Sequence, residues 1–358
     1  MLTVTKTFFP PLNDYHALLH RIWATGQVTN NGPLVLELEQ ALKQHLGVKH
    51  LLYVSNGTLA LQLAIKALGL QGDILTTPFS YVATASSIVW EHCRPVFVDI
   101  DPASLCLNPA LLEAAITPAT QAILATHVFG FACDVDAIAV VARRHNLRVL
   151  YDAAHAFGVQ HQGRPVLHHG DISTLSFHAT KLFHTGEGGA IVTSDDALAE
   201  RLAYMRNFGH ADTNTFVELG INAKNTEMHA ALGLCVLPHL PALVAHRRHL
   251  TQHYNRLLAP SNLRCLPATA AEGYNFAYYP VLLPSEEQLL AVVAALQAAD
   301  IYPRRYFYPS LTTLPYVAPG ATCPVAHDVA SRILCLPLHH ELTDADVAHI
   351  ATITRHHL

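Results

Sequence analysis

The sequence predicts an α/β fold in which a mostly parallel, seven-stranded sheet is covered by helices on both faces and is followed by a smaller α+β domain. Seven short apolar runs alternate with helical patterns through the first two thirds of the chain. Several of these runs are apolar throughout, which is typical of strands that are buried on both faces. Because strands that alternate with helices form βαβ units, the sheet should be mainly parallel.

The individual elements of the sheet region follow from the apolar periodicity. The predicted strands span 50–54, 73–77, 95–99, 122–127, 147–151, 173–177 and 190–193. The helical patterns between them include 59–68, 108–116 and 135–144. Short strand-like apolar runs and longer helix-like patterns thus follow one another repeatedly along the chain. This order indicates helices that connect one strand to the next.

The alternation of strands and helices stops after about Ala230. Pro238 and Pro241 lie there and indicate a break between elements. The elements predicted beyond this point are an amphipathic helix at 242–258, an extended segment at 275–283, a helix at 286–299 and a final helix after Thr343. We therefore expect two domains, a large one at 1–240 and a small C-terminal one at 241–358.

Composition narrows the class of protein. Of the 358 residues, 51% are hydrophobic and 14% are charged, so a large core is available. The net charge of −5 argues against a nucleic-acid binder. The seven cysteines form no CxxC pair and the N-terminus does not read as a signal peptide. We expect a cytoplasmic protein that binds neither nucleic acid nor a membrane.

Two polar residues follow buried strands in a way that points to pyridoxal 5'-phosphate chemistry. Asp152 comes directly after the run 147–151, and Lys181 ends the segment Ser176-Phe-His-Ala-Thr-Lys181. A partly desolvated lysine amine is nucleophilic and can bind the cofactor covalently. An ionised aspartate beside the pyridine nitrogen keeps the ring protonated and electron-accepting. Taken alone, Lys181 could instead be a solvated loop residue, and Asp152 could bind a metal or a ribose.

A candidate phosphate site lies between the first predicted strand of the sheet and the helix that follows it. Backbone amides at a helix N-terminus, with Gly57 allowing close approach and the hydroxyls of Ser55 and Thr58 alongside, can hold a phosphate. Ser176 could add a further hydroxyl. The alternative for this segment is an ordinary N-cap.

Two rings are candidates for contacts with the cofactor. His155 follows Asp152 by three residues and could contact the ring oxygen or stack on the ring. Tyr81 follows a predicted strand end and could cover the other ring face, or belong to the core. The 25 histidines raise the possibility of a metal site, but no zinc-type spacing is present, and we expect no metal.

These motifs together resemble the sugar-nucleotide aminotransferase family, the DegT/StrS group of fold type I pyridoxal phosphate enzymes. The resemblance runs nearly end to end. Its motifs are Ser55-Asn-Gly-Thr58, Tyr81-Val-Ala-Thr84, Pro95-Val-Phe-Val-Asp99, Asp152-Ala-Ala-His155, Ser176-Phe-His-Ala-Thr-Lys181, Gly186-Glu-Gly-Gly189 and Gly220-Ile-Asn-Ala-Lys224.

The resemblance implies a role for each matching residue. Lys181 matches the lysine that binds the cofactor and then moves the proton, and Asp152 matches the partner of the pyridine nitrogen. The cofactor contacts implied are Gly57, Thr58 and Ser176 for the phosphate, Tyr81 for the ring face and His155 near the phenolic oxygen.

The resemblance also implies a homodimer with shared active sites, because Asn222 matches a residue that reaches the phosphate of the neighbouring subunit. Lys224, Arg305 and Tyr306 are the implied substrate contacts. The family often has arginine where Lys224 stands, and His184 replaces a small or polar residue. Both departures leave the contacts of these segments open.

The reaction implied is transfer of an amino group from L-glutamate to a keto sugar nucleotide. Three segments are most similar to those of enzymes that convert dTDP-4-keto-6-deoxyglucose to dTDP-4-amino-4,6-dideoxyglucose: Thr29-Asn-Asn-Gly-Pro33, Gly220-Ile-Asn-Ala-Lys224 and Arg305-Tyr-Phe-Tyr-Pro309. A 3-keto sugar, a UDP- or GDP-linked sugar or a cyclitol ketone remains an alternative acceptor. An alternative of another class is a non-catalytic protein that binds pyridoxal phosphate or a nucleotide sugar.

Overall fold

A twisted seven-stranded sheet forms the centre of the chain, which a computed structural model describes at residues 1–266 and 273–358. The strands are β1 (Leu2–Thr3), β2 (His50–Val54), β3 (Asp73–Thr76), β4 (Arg94–Phe97), β5 (Thr120–Thr126), β6 (Arg148–Asp152), β7 (Gln160–His161), β8 (Arg164–Pro165), β9 (Ile172–Ser176), β10 (Gly189–Thr193), β11 (Arg264–Cys265), β12 (Tyr279–Leu282), β13 (Ile301–Tyr302) and β14 (Ile333–Leu336). The helices are α1 (Leu12–Thr25), α2 (Pro33–Leu46), α3 (Gly57–Ala67), α4 (Val82–Trp90), α5 (Leu112–Ala115), α6 (Val135–His145), α7 (Asp196–Met205), α8 (Glu227–Val236), α9 (Leu240–Leu258), α10 (Glu286–Ala298), α11 (Pro324–Arg332) and α12 (Asp344–His356).

The strand order of the central sheet is β2-β10-β9-β6-β5-β3-β4. Only β10 runs antiparallel to its neighbours in this sheet, β2 and β9, and the other pairings are parallel. Each of the seven strands overlaps one of the predicted apolar runs. The predicted fold class, a mostly parallel seven-stranded sheet in an α/β protein, is confirmed.

Burial on both faces explains why these strands lack an alternating pattern. In β2, Leu51 and Tyr53 pack with α2, whereas Leu52 and Val54 pack on the opposite face with α3. Since side chains of a strand point alternately to the two faces, both sets must be apolar when helices cover both.

The edge strand β2 is held by a buried ion pair. Glu39 of α2 accepts a hydrogen bond of 2.7 Å from the Tyr53 backbone N–H, and Arg206 donates one of 2.9 Å to the Tyr53 carbonyl. Glu39 and Arg206 also contact each other. These contacts satisfy backbone groups that an edge strand would leave unpaired, and they fix the strand from which the Ser55–Thr58 segment emerges.

The parallel strands bring their carboxyl ends to one side of the sheet. Thr126 at the end of β5 pairs with Asp152 at the end of β6, and Asp152 pairs with Thr174 near the end of β9. In an open parallel sheet this side is where ligands bind.

The C-terminal part contains the antiparallel sheet β11-β12-β14 together with α9, α10 and α12, whose side chains share one apolar cluster. Helices predicted at 242–258, 286–299 and after Thr343 correspond to α9, α10 and α12. The first strand, β1, pairs in parallel with β13, and Leu2 packs on the C-terminal cluster. The N-terminal residues thus contact the smaller part, while the division at 240/241 stays a prediction.

One helical stretch in the described residues, Glu227–Leu258, is long and apolar enough to cross a membrane by length and composition alone. It consists of α8, a short turn and α9. Within α8, the buried carboxylate of Glu227 accepts hydrogen bonds of 2.8 Å from the amides of Leu34 and Val35 at the start of α2. This half of the stretch is therefore joined to the helical layer beside the sheet.

Candidate active site

A cavity of about 240 Å³ lies at the carboxyl ends of the central strands. The predicted site residues that line it are Gly57, Thr58, Tyr81, Asp152, His155, Ser176, Lys181 and Tyr306. The residues come from five separate segments of the chain, so the tertiary fold is what brings them together.

Lys181 lies in the loop between β9 and β10, where its backbone N–H donates to the His178 carbonyl at 2.8 Å. Burial lowers the pKa of the Lys181 amine to about 8. The negative charge of the nearby Asp152 carboxylate raises the pKa of the amine, and the positive charge of Arg304 lowers it further. The amine is consequently available as a nucleophile near neutral pH.

Asp152 is the last residue of β6 and is 6% exposed. On balance the pKa of its carboxyl lies above the usual range, because burial outweighs the hydrogen bonds from Thr84 and Ala154 and the charge of Lys181, which lower it. The Thr84 hydroxyl lies 2.8 Å from Oδ2, and the Ala154 amide donates to Oδ1 at 3.1 Å. The carboxylate thus keeps hydrogen-bond donors in a site from which water is largely excluded.

The start of α3 forms a cradle between the ends of β9 and β10. Asn56 caps the helix by accepting from the Leu59 amide at 2.9 Å. The amides of Gly57 and Thr58 lie in the first turn, where a helix supplies no internal acceptor. A Cβ on Gly57 would come within 3.0 Å of the Ser176 Cβ, so glycine permits the close approach. Free amides beside a serine hydroxyl fit a phosphate group.

His155 is a neutral ring held in an aromatic stack. Burial lowers its pKa well below the usual range, and its Nδ1 accepts from the Phe129 amide at 3.2 Å. The proton of the neutral ring therefore lies on Nε2. Phe307 stacks at 5.6 Å between ring centroids and an angle of 14°. A neutral N–H donor in the cavity wall suits an anionic ring oxygen.

Tyr81 and Tyr306 both line the cavity but differ in exposure. Tyr81 precedes α4 and is 54% exposed, so its ring is not part of the core. Tyr306 is buried and its ring lies under the Arg304 guanidinium, 4.5 Å from the ring centroid.

Four predicted site residues do not line the cavity in this chain. The Ser55 hydroxyl is buried, with no hydrogen-bond partner in the described parts of the chain. Asn222 is exposed. The Lys224 amine donates to Asn207 Oδ1 at 2.7 Å. Arg305 pairs with Glu286 at 2.6 Å and stacks on Tyr308 at 3.6 Å, so its guanidinium is engaged elsewhere.

Sequence reasoning selected Arg305 and missed its neighbour Arg304, which does line the cavity. The backbone of Arg304 pairs with Cys335 through hydrogen bonds of 3.1 and 2.8 Å and is extended there. Arg304 and Tyr306 both line the cavity, whereas the Arg305 guanidinium pairs with Glu286. No local sequence pattern distinguishes Arg304 from Arg305.

Comparison with known proteins agrees with the geometry. Residues 13–355 match the DegT/DnrJ/EryC1/StrS aminotransferase family. The chain is 42% identical over 358 residues to the dTDP-4-amino-4,6-dideoxy-D-glucose transaminase of Shigella dysenteriae, covering 98% of each chain. It is 37% identical over 336 residues to the GDP-perosamine synthase of Caulobacter vibrioides, covering 90% of each.

The fold is similar to that of solved sugar aminotransferases. The structure of DesI in the presence of its TDP-sugar product superposes with a TM-score of 0.92 at 34% identity. The match covers 99% of this chain and 92% of that one. The fold type I architecture implied by the sequence motifs is thereby confirmed. The chain belongs to the DegT/DnrJ/EryC1/StrS aminotransferase family.

Proposed function

We propose that this chain transfers the amino group of L-glutamate to a keto sugar nucleotide, with dTDP-4-keto-6-deoxyglucose as the acceptor and pyridoxal 5'-phosphate as the cofactor. The observation that carries the proposal is that Lys181, Asp152 and the start of α3 line one cavity. Membership of an aminotransferase family supports catalysis over mere binding. The 42% identity to a dTDP-4-amino-4,6-dideoxy-D-glucose transaminase supports this acceptor.

Different residues of the cavity would bind different groups of the cofactor. The amides of Gly57 and Thr58 and the Ser176 hydroxyl would hold the phosphate. Asp152 would pair with the pyridine nitrogen, and the His155 Nε2–H would donate to the phenolic oxygen. When bound, pyridoxal phosphate supplies an electron sink for negative charge at the reacting carbon of the substrate.

Lys181 has two successive roles. Its unprotonated Nζ first binds the cofactor covalently. When it is free of the cofactor, the same Nζ would take a proton from the substrate carbon and deliver it to the other reacting carbon, acting as base and then acid. A pKa of about 8 allows both directions near neutral pH. An ionised Asp152 would keep the ring nitrogen protonated during this transfer.

The positive charge of Arg304 supports an amino acid as the amino donor. Within residues 1–266 and 273–358, Arg304 has no carboxylate partner, although it lines the cavity. The α-carboxylate of glutamate is an anion that lies one bond from the reacting carbon. Arg304 would bind it through paired hydrogen bonds.

A second acceptor class is favoured by a specific observation, the 37% identity to a GDP-perosamine synthase. The acceptors would differ in the nucleotide and in the sugar, both read by loops around the cavity. The catalytic residues do not distinguish them.

A substrate panel separates these acceptors. With L-glutamate as donor, dTDP-4-keto-6-deoxyglucose should give a kcat/KM about tenfold or more above 3-keto, UDP-linked and GDP-linked sugars. Release of 2-oxoglutarate measures each reaction. Turnover of a 3-keto or GDP-linked sugar alone would remove the preferred acceptor. Aspartate and glutamine in place of glutamate test the donor, with formation of the amino sugar nucleotide as the readout.

The proposed active form is a homodimer in which each site uses residues of both chains. Asn222 lies at the end of an exposed loop, 207–222, that carries large apolar side chains open to solvent, including Phe216 at 65% and Leu219 at 70% exposure. Apolar side chains grouped in this way suit a protein interface. The Asn222 side chain would then reach the phosphate in the partner's cavity.

Mixed dimers test the shared site. We expect Lys181→Ala and Asn222→Ala homodimers to be impaired, and a refolded 1:1 mixture to recover about a quarter of wild-type activity. Half of its dimers are mixed, and each mixed dimer keeps one intact site. Turnover assays before and after mixing measure this. Recovery no greater than the sum of the two parents would contradict a shared site, and so would full activity of a wild-type monomer.

The pKa of Lys181 predicts how cofactor attachment depends on pH. Only the unprotonated amine attaches, so the rate of attachment to the apoprotein should rise with pH through about 8. Stopped-flow absorbance of the bound cofactor follows this rate. Arg304→Met removes a charge that lowers this pKa and should move the midpoint to higher pH. Arg305→Met should not move it, because Arg305 faces away. An attachment rate independent of pH would contradict the assignment of Lys181.

A further inference from the structure

We propose that Thr84, Ser80 and Thr126 form a one-directional chain of hydroxyl hydrogen bonds that holds Asp152 ionised and oriented, which makes Thr84 a positioning residue for the reaction. The inference rests on the role of Asp152 given under the proposed function. It adds three residues that contribute through the carboxylate; Ser80 and Thr126 also line the cavity, whereas Thr84 lies behind Asp152.

The chain of contacts is continuous. The Thr84 hydroxyl donates to Asp152 Oδ2 at 2.8 Å. Ser80 Oγ lies 2.7 Å from Thr84 Oγ1 and 3.0 Å from Thr126 Oγ1. All three distances are normal for hydrogen bonds between oxygens.

The direction of the chain follows from the number of protons. An ionised carboxylate only accepts, so Thr84 must give its single hydroxyl proton to Asp152. Thr84 can then only accept from Ser80, and Ser80, its own proton used, can only accept from Thr126. Every hydroxyl dipole therefore points its positive end toward the carboxylate. The same donor direction is incompatible with a proton on Asp152 Oδ2, because that oxygen accepts from Thr84.

Because the three hydroxyls are buried, their hydrogen bonds affect the charge of the Asp152 carboxylate. Thr84, Ser80 and Thr126 are 0%, 1% and 4% exposed, so bulk water contributes little to solvating Asp152. Among the described residues, no lysine or arginine forms an ion pair with Asp152, and Lys181 is the charged group that acts on it. Hydrogen bonds donated to a buried charge in such surroundings favour the charged form, and successive bonds strengthen one another.

The fold brings together hydroxyls that are distant in sequence. Thr126 ends β5 and lies in register beside Asp152 at the end of β6. Thr84 is in the first turn of α4, and Ser80 precedes that helix. The parallel pairing of β5 and β6 thus sets both ends of the chain.

The test replaces Thr84 with the isosteric valine in the holoenzyme. Loss of the donor should raise the proton affinity of Asp152 about tenfold and draw the proton away from the ring nitrogen. In protein reconstituted with pyridoxal phosphate labelled with ¹⁵N in the ring, the resonance should move toward the value of the unprotonated ring. We expect kcat to fall about tenfold with KM for both substrates within about twofold.

Matched variants separate this effect from packing. Thr84→Ser keeps the hydroxyl and should restore the wild-type resonance. Ser86→Ala, on the same helix, removes a hydroxyl that bonds to the Val82 carbonyl and should change neither measurement. Ser80→Ala should shift the resonance less than Thr84→Val, and it carries the test if the valine variant does not fold.

Two results overturn the proposal in distinguishable ways. A protonated ring in the wild type together with an unchanged resonance in Thr84→Val would remove the hydroxyl chain and leave the role of Asp152 intact. An unprotonated ring in the wild type would remove the role of Asp152 itself, and the hydroxyl chain with it.

Discussion

The parallel pairing of β5, β6 and β9 is the constraint on which the site depends. It places Asp152 between Thr126 and Thr174 at one edge of the sheet. The chain leaves β9 at this same edge and turns back within a few residues, which brings the Lys181 amine near the Asp152 carboxylate. A nucleophilic amine and a buried anion thus meet because of strand register, with helices excluding water on both faces of the sheet.

Close backbone packing supplies the remaining part of the site. A Cβ on Gly189 of β10 would come within 2.6 Å of the Asn56 carbonyl carbon, so this position requires glycine. With glycine at positions 57 and 189, the first turn of α3 can rest on β9 and β10 and direct its free amides into the cavity. The buried pair Glu39–Arg206 holds the strand that leads into this turn.

The sequence alone predicted the strands because two-sided burial makes each of them uniformly apolar. Asp152 could be predicted because a polar residue that directly follows such a strand lies at its end, and Lys181 because it lies in the loop that follows the next strand of the sheet. Arg304 could not be chosen over Arg305 until the extended pairing with Cys335 was known, since this pairing decides which side chain faces the cavity. The hydroxyls beside Asp152 depend in the same way on tertiary register, which no local pattern encodes.

The central claim is that Lys181 is the residue that binds the cofactor. The most direct measurement is borohydride reduction of the holoenzyme followed by digestion and mass spectrometry of its lysine-containing peptides. The account predicts the added mass of the reduced cofactor on the peptide that contains Lys181, with none on peptides of the five other lysines. Labelling of another lysine instead, or no stable label after complete reduction, would contradict it.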